Sequence, residues 1–376
     1  MPTTSGAATL EQRIHDAAAA AEQRVIAVRR DIHQHPELGN REVRTAKIVA
    51  DRLPQLGIET REGVAHTGVV GLLRGGKPGK VVALRADMDA LPVTEQVDIP
   101  FASKVRTTYN GQDVGVMHAC GHDAHVAILL GVAEVLAGMR SEIPGTVKFI
   151  FQPAEEGAPE GEEGGAELMV KEGVLADPKV DAIFGLHVTS RFAVGELAYR
   201  PGGMMAAVDT LKIVVRGKQT HGAYPWLGVD PIVVASQIIL GLQTIPSRQL
   251  DSTVAPSIVT IGMIRGGVRN NIIPDDVEMI GTLRALDKTM RTEIHERVKR
   301  TAESIATAAG ASAEVTITTG YPITYNDPAL TEKMAVTLKR INPATTVVNP
   351  VLGAEDFSFF QEKVPGLFIW LGTRPK

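Results

Sequence analysis

Apolar positions recur at helical spacing along residues 9–35 and again along 42–56, and both stretches predict amphipathic helices. The period then shortens. Apolar, β-branched runs at 81–87 (VVALRAD), 146–157 (TVKFIFQPAEEG) and 181–188 (DAIFGLHV) read as strands, with a strongly apolar helix at about 123–139 between the first two. Such alternation argues a sheet covered by helices on both faces. After AYRPGGMM the texture changes. Between about 206 and 318 the pattern runs strand (VDTLKIVVRG), helix (DPIVVASQIILGLQTI), strand (PSIVTIGMIRGG), strand (DVEMIGTLRAL), helix (KTMRTEIHERVKRTAESIATAAG) and strand (SAEVTITTG). That order, βαββαβ, is a compact unit of the ferredoxin-like type set between two parts of a first domain. A helix at 328–341 and the strand-like LFIWLGTRPK return the chain to that domain. The expected class is α/β, with a first domain from 1–203 and 319–376 and an inserted one from 204–318.

Charge narrows the class of partner. The chain of 376 residues carries 39 Lys and Arg against 43 Asp and Glu, so no basic excess is available to hold phosphates and nucleic acid is not an expected partner. No run of about 18 apolar residues occurs and the N-terminus has no basic-then-apolar leader, so no membrane association is expected. A single cysteine cannot form an internal disulfide, and the cytoplasm is the expected location, with export after removal of a leader as the alternative.

That cysteine lies in MHACGHDAH, where His118, Cys120 and His122 form H-x-C-x-H and His125 follows one helical turn after His122. Imidazole and thiolate both suit zinc-like ions, and the short spacing lets several converge on one. A core thiol beside histidines that satisfy backbone groups is the alternative. QPAEEG closes an apolar strand on Glu155 and Glu156; two adjacent acids can divide their labour about a positive ion, one as ligand and one as proton acceptor, with a solvated acidic loop as the alternative. GLHV carries His187 at the end of another strand, as a ligand or as a satisfied core histidine, and RADMDALP adds Asp87 and Asp89, candidates to orient ligating imidazoles. Metal-type residues therefore gather where α/β proteins place their sites, at the ends of strands.

In this order and spacing, RADMDALPV, MHACGHDAH, FQPAEEG, GLHV, HGAYPWLGVDP and GAEDFSFF resemble the aminoacylase and carboxypeptidase branch of the M20 metallopeptidases, over residues from about 25 to 372. That branch includes hippurate hydrolases, N-acyl-amino-acid amidohydrolases and plant indole-acetyl-amino-acid hydrolases. The resemblance implies a mixed-sheet three-layer metallopeptidase domain with an inserted ferredoxin-like βαββαβ lid. It implies Cys120, His122, Glu156 and His187 as metal ligands, Glu155 as general base, and Asp87, Asp89 and Glu355 of GAEDFSFF as residues supporting them. His221, in KQTHGAYP, corresponds to the histidine that binds the reacting carbonyl oxygen, often in a partner subunit's site; Asn271 and Arg284 correspond to residues that hold the substrate carboxylate.

The implied reaction is hydrolysis of an N-acyl amino acid to a carboxylate and a free amino acid by metal-activated water. One or two divalent ions per chain are expected, zinc or manganese first, cobalt or nickel as alternatives. A homodimer or larger homo-oligomer through the lid is expected. The competing readings are a dipeptidase or carboxypeptidase, a catalytically impaired binding protein of the same fold, and a cysteine hydrolase built on Cys120. Relatives of this kind carry a further metal-binding histidine beyond the strand corresponding to LFIWLGT, whereas the last histidine here is His295; a missing C-terminal stretch is the expectation.

Overall fold

The computed structural model of the protein describes residues 8–375; residues 1–7 and Lys376, which the sequence reading placed in the outer segments, lie outside the described residues. The chain divides into two units. One runs through Pro201 and takes in Asn326–Val348 and the stretch from Phe359; the other comprises Gly202–Tyr325 and Asn349–Ser358. The last of these segments is irregular and carries no periodic signal. It joins the second unit through backbone bonds from Val351 N to Met204 O and from Ala206 N to Val351 O and Gly353 O.

The first unit is built on a mixed sheet of eight strands, in the order Glu59–Val64, Gly68–Arg74, Pro144–Gln152, Lys77–Asp87, Ala182–Ala193, Gly366–Arg374, Leu197–Tyr199 and Thr346–Val347. Its centre is parallel, and the first two strands add antiparallel at one edge. Central parallel strands are buried on both faces and read as continuous apolar runs, which is why Pro144–Gln152 is buried over most of its length. The helices Leu10–Gln34, Val43–Gln55 and His122–Gly138 share one core with the sheet, in which Ile32, Leu53, Val126 and Leu130 meet Leu73, Phe149 and Phe151. Thr9 caps the first of these helices by accepting the N–H of Gln12. Lys148 alternates with Phe149 and so faces the other way. There its ammonium donates to the carbonyls of Val174, Asp177 and Pro178, and burial pushes it down to about 8.

In the second unit the strands stand in the order Ser257–Gly266, Asp276–Ala285, Ala207–Arg216, Ser312–Thr319, all antiparallel. Two helices, Pro231–Thr244 and Lys288–Ala308, are capped by Asp230 and Asp287 and lay Val234, Ile238, Ile294 and Val298 against Leu211, Ile213 and Val215. The order matches the ferredoxin-like βαββαβ arrangement. Among the described residues no helix is long and apolar enough to cross a membrane.

Candidate metal centre

Three neighbouring strands and one helix of the first unit bring the polar groups together. Lys77–Asp87 ends on Asp87, and Asp89 follows it; Pro144–Gln152 leads into the turn bearing Glu155 and Glu156; Ala182–Ala193 carries His187. The helix His122–Gly138 begins on His122 itself, with Gly121 before it at φ +91°. A Cβ at Gly121 would meet Val188 Cγ2 at 2.3 Å, so the left-handed turn between Cys120 and His122 requires glycine on both counts.

The geometry assigns each imidazole. His122 Nδ1 pairs with Asp89 Oδ1 at 3.2 Å, which turns Nε2 toward Glu155 Oε2 at 3.8 Å and Glu156 Oε1 at 4.0 Å. His187 Nδ1 donates to Val188 O at 2.6 Å, which leaves the Nε2 lone pair facing Cys120 Sγ at 3.2 Å. His125 is used at both nitrogens: Nδ1 pairs with Asp87 Oδ1 at 2.5 Å and Nε2 accepts the N–H of Val188 at 2.9 Å. The spacing alone left His125 equal to its neighbours as a ligand. Its hydrogen bonds make it a brace between two strands.

Ligand atoms of Cys120, His122 and His187 lie within 4.8 Å of one another, as do those of His122, Glu155 and Glu156. His122 is 0% exposed and its Nε2 has no hydrogen-bond partner. Buried polar atoms are almost always satisfied, so a nitrogen, a thiol and two carboxylates converging around an unsatisfied atom fit a cation.

Electrostatics agree with that fit. Burial opposes charge on His122, but Asp87 and then the bond to Asp89 outweigh it and hold the imidazole well above its ordinary value. A cation is what this acid-rich surrounding favours. Burial, then the neighbouring His125, pushes His187 down to about 3, keeping it a neutral donor. Burial raises Cys120 and Glu156. Asp87 is held well below the carboxylate range: burial works against its charge, but Arg85, His122 and His125 prevail.

Several groups here gave no signal in the sequence reading. Arg85 is buried, with Nη1 on Asp87 Oδ2 at 2.6 Å and Nε on Gln152 Oε1 at 2.7 Å. His33, on the buried side of the first helix, bridges Asp123 Oδ2 at 2.9 Å and Glu95 Oε1 at 3.1 Å. A polar residue beside the buried Ile32 was the one available sign. His118, by contrast, was singled out by its spacing to Cys120 and His122, yet it joins neither ligand cluster: neither ring nitrogen has a partner, and burial pushes it down to about 4.

Glu355 and the lid residues lie in the second unit. Glu355 is buried and Oε1 accepts the N–H of Phe357 at 3.0 Å. His221 is exposed; the two-stranded ladder Thr220–His221 with Ile272–Ile273 sets it beside Asn271, whose carbonyl accepts the N–H of Gly222 at 2.8 Å. The Asn271 Oδ1 is buried without a partner. Arg284 lies on Asp276–Ala285 opposite Val208, half-buried.

The family described as "Peptidase family M20/M25/M40" matches residues 83–376. A thermostable carboxypeptidase 2 of Saccharolobus solfataricus is 47% identical over 354 residues, covering 93% of this chain and 86% of the relative. An N-acetylcysteine deacetylase of Bacillus subtilis is 41% identical, covering 93% of this chain and 88% of its own length. Among solved structures, a dinuclear metal-binding peptidase of the M20 family from Bacillus subtilis superposes with a TM-score of 0.81 at 39% identity, covering 94% of this chain and 89% of that one.

Proposed function

The chain belongs to peptidase family M20/M25/M40, and from that premise we propose that it is a metal-dependent amidohydrolase cleaving N-acyl amino acids to a carboxylate and a free amino acid. The observation that carries this reading is the buried, unpartnered His122 Nε2, facing two carboxylates beside a thiol–imidazole pair. Cys120, His122, Glu156 and His187 would hold one divalent ion or share in holding two, with zinc or manganese best suited to the donors and cobalt or nickel as alternatives. When bound, such an ion supplies Lewis acidity toward an amide carbonyl and makes water acidic enough to deprotonate near neutral pH.

The protein's own groups do the rest. Glu155 takes the proton of the attacking water and returns it to the leaving amine. Asp89 fixes the His122 ring through Nδ1 and the Glu156 backbone through its N–H, at 3.2 and 2.9 Å, so both keep their aim while charge moves. Asp87 steadies His125, and His125 in turn steadies Val188 next to His187. From the second unit we assign His221 to the reacting carbonyl oxygen, Asn271 and Arg284 to the substrate carboxylate, and Glu355 to a supporting role. We further assign a cytoplasmic location and a homodimer formed through the second unit, with His221 serving the partner subunit.

A dipeptidase or carboxypeptidase is the second reading, favoured by the similarity to a carboxypeptidase at 47% identity. Side-by-side kcat/KM values for benzoyl- and acetyl-amino acids against dipeptides decide between them. The proposal predicts a preference of about tenfold or more for the acyl substrates, a difference of about 1.4 kcal/mol in transition-state binding. A preference of that size for dipeptides would reverse the assignment.

A further inference from the structure

Glu42 lies just before the Val43–Gln55 helix, is 0% exposed, and takes no part in the donor set above. Its Oε1 accepts the backbone N–H of Ala154 at 2.8 Å and its Oε2 accepts the Thr67 hydroxyl at 2.5 Å. Ala154 immediately precedes Glu155 and has φ +51°, a left-handed conformation that a residue with a Cβ keeps only when its surroundings hold it there. On the other side of Glu155, Asp89 Oδ2 accepts the N–H of Glu156 at 2.9 Å. The amides flanking Glu155 are therefore each held by a carboxylate from elsewhere in the chain.

Neighbouring residues press the same two segments together. Asn40 donates to Glu162 Oε2 and Glu163 O, both at 3.0 Å. A Cβ at Gly39 would meet Gly157 O at 2.9 Å. Residues 39–42 are in this way a template for the turn at 154–163.

We propose that Glu42 is a positioning residue for the hydrolysis: it holds Ala154 in the left-handed turn that aims Glu155, and acts through that turn without touching substrate. The inference rests on the reading of Glu155 as general base. It also explains why an acid is tolerated in so dry a place. Burial, and then the charge of Asp89, push Glu42 up to about 7, so near neutrality a proton is available to it. A glutamine copies that protonated state, its oxygen accepting from Ala154 and its amide donating to the Thr67 oxygen.

The test compares Glu42→Gln, Glu42→Asp and Glu42→Ala in the full chain, measuring kcat, KM, bound metal and thermal unfolding, with Glu155→Gln as reference. Glu42→Ala, and Glu42→Asp with its charge kept but its reach a methylene short, should lose kcat by about 10- to 100-fold, with KM and metal content near parental. Glu42→Gln should recover most of the lost kcat. Adding Ala154→Gly to Glu42→Ala frees the left-handed turn from its restriction and should also raise kcat, by about threefold or more. A folded Glu42→Ala protein with parental kcat overturns the proposal. If Glu42→Ala does not fold, the order of the other two decides, and an aspartate variant as active as the glutamine one overturns it. Should Glu155→Gln retain full activity, the general-base reading fails and this inference with it; if Glu155→Gln is inactive while Glu42→Ala is unimpaired, only the positioning role fails.

Discussion

Each unit buries a cluster of histidine and carboxylate, and the two are wired differently. In the second unit Asp209 is 2% exposed and accepts from Arg291 Nε at 2.9 Å, from Gly320 N at 3.0 Å and pairs with His295 Nε2 at 2.6 Å. Its charge is answered by protein donors, and although burial works against ionisation, the bonds from Arg291 and His295 keep its pKa below the ordinary value. In the first unit the ligand atoms of Cys120, His122 and His187 face one another, as do those of His122, Glu155 and Glu156, and His122 Nε2 has no partner. The contrast separates two uses of the same residue types. A cluster that saturates its own donors holds a fold together, whereas one that gathers ligand atoms round a buried nitrogen without a partner fits a cation.

The comparison is sharpest at Glu155. Replacing it with glutamine should lower kcat by about 10²–10⁴-fold while leaving the metal content of the purified protein unchanged, because the group moves a proton and is not assigned as a ligand. Kinetics together with elemental analysis of the same sample check this; activity within about twofold of the parent, or loss of metal, would remove the assignment.

Asp209→Ala probes the closed cluster. It strands a largely buried guanidinium and should destabilise the protein by about 3–5 kcal/mol in urea unfolding, with turnover per folded molecule and metal content unchanged. A folded variant with lost turnover would place Asp209 in the active machinery and erase the distinction between the clusters.

The smallest effect is a pH dependence. The folded-state value of Glu42, about 7, lies above its ordinary 4.5, so the native chain holds this proton more tightly than the unfolded one. Its stabilising contribution is therefore complete below pH 4.5 and is lost as the pH rises through about 7. Over that interval the parent should lose up to roughly 3 kcal/mol that a Glu42→Gln variant does not lose. Unfolding free energies of the two proteins measured along a pH series test it, and parallel curves would show that Glu42 titrates normally.

Much of this architecture is legible in the residue pattern because burial leaves a period behind. The alternation of strands and helices in the first unit and the βαββαβ order of the second both follow from runs such as VVALRAD and DVEMIGTLRAL, as do the long helices. The edge strands Glu59–Val64 and Gly68–Arg74 were not anticipated. Glu59–Val64 is mostly exposed and mixes Glu, Thr and Arg without alternation, and pairing with a neighbour supplies what its own sequence does not. The hairpin Arg106–Tyr109 with Gln112–Gly115 was likewise not anticipated, for its residues bury almost nothing.

At the site, residue type and strand-end position pointed to Cys120, His122, Glu155, Glu156 and His187 as candidates. What one dimension cannot encode is the hydrogen bond that consumes one ring nitrogen and frees the other. That bond separates His122 from His125, three residues apart on one helix. Glu42 was invisible for the same reason: its partners, Thr67 and Ala154, are far from it in sequence, and Ala154 is held through its backbone N–H, which no residue type records.

The central claim is that the open cluster holds a divalent ion on which amide hydrolysis depends, and one measurement addresses it directly: metal content and hydrolysis of an N-acyl amino acid, followed on the same sample of the full chain before chelation, after it, and after return of zinc or manganese, with Cys120→Ala alongside. The account predicts bound metal and activity in the parent, joint loss of both on chelation, recovery of both on return of the ion, and a Cys120→Ala protein low in metal and activity from the start. Hydrolysis that survives complete removal of metal, or a Cys120→Ala protein with parental metal content and activity, would contradict it.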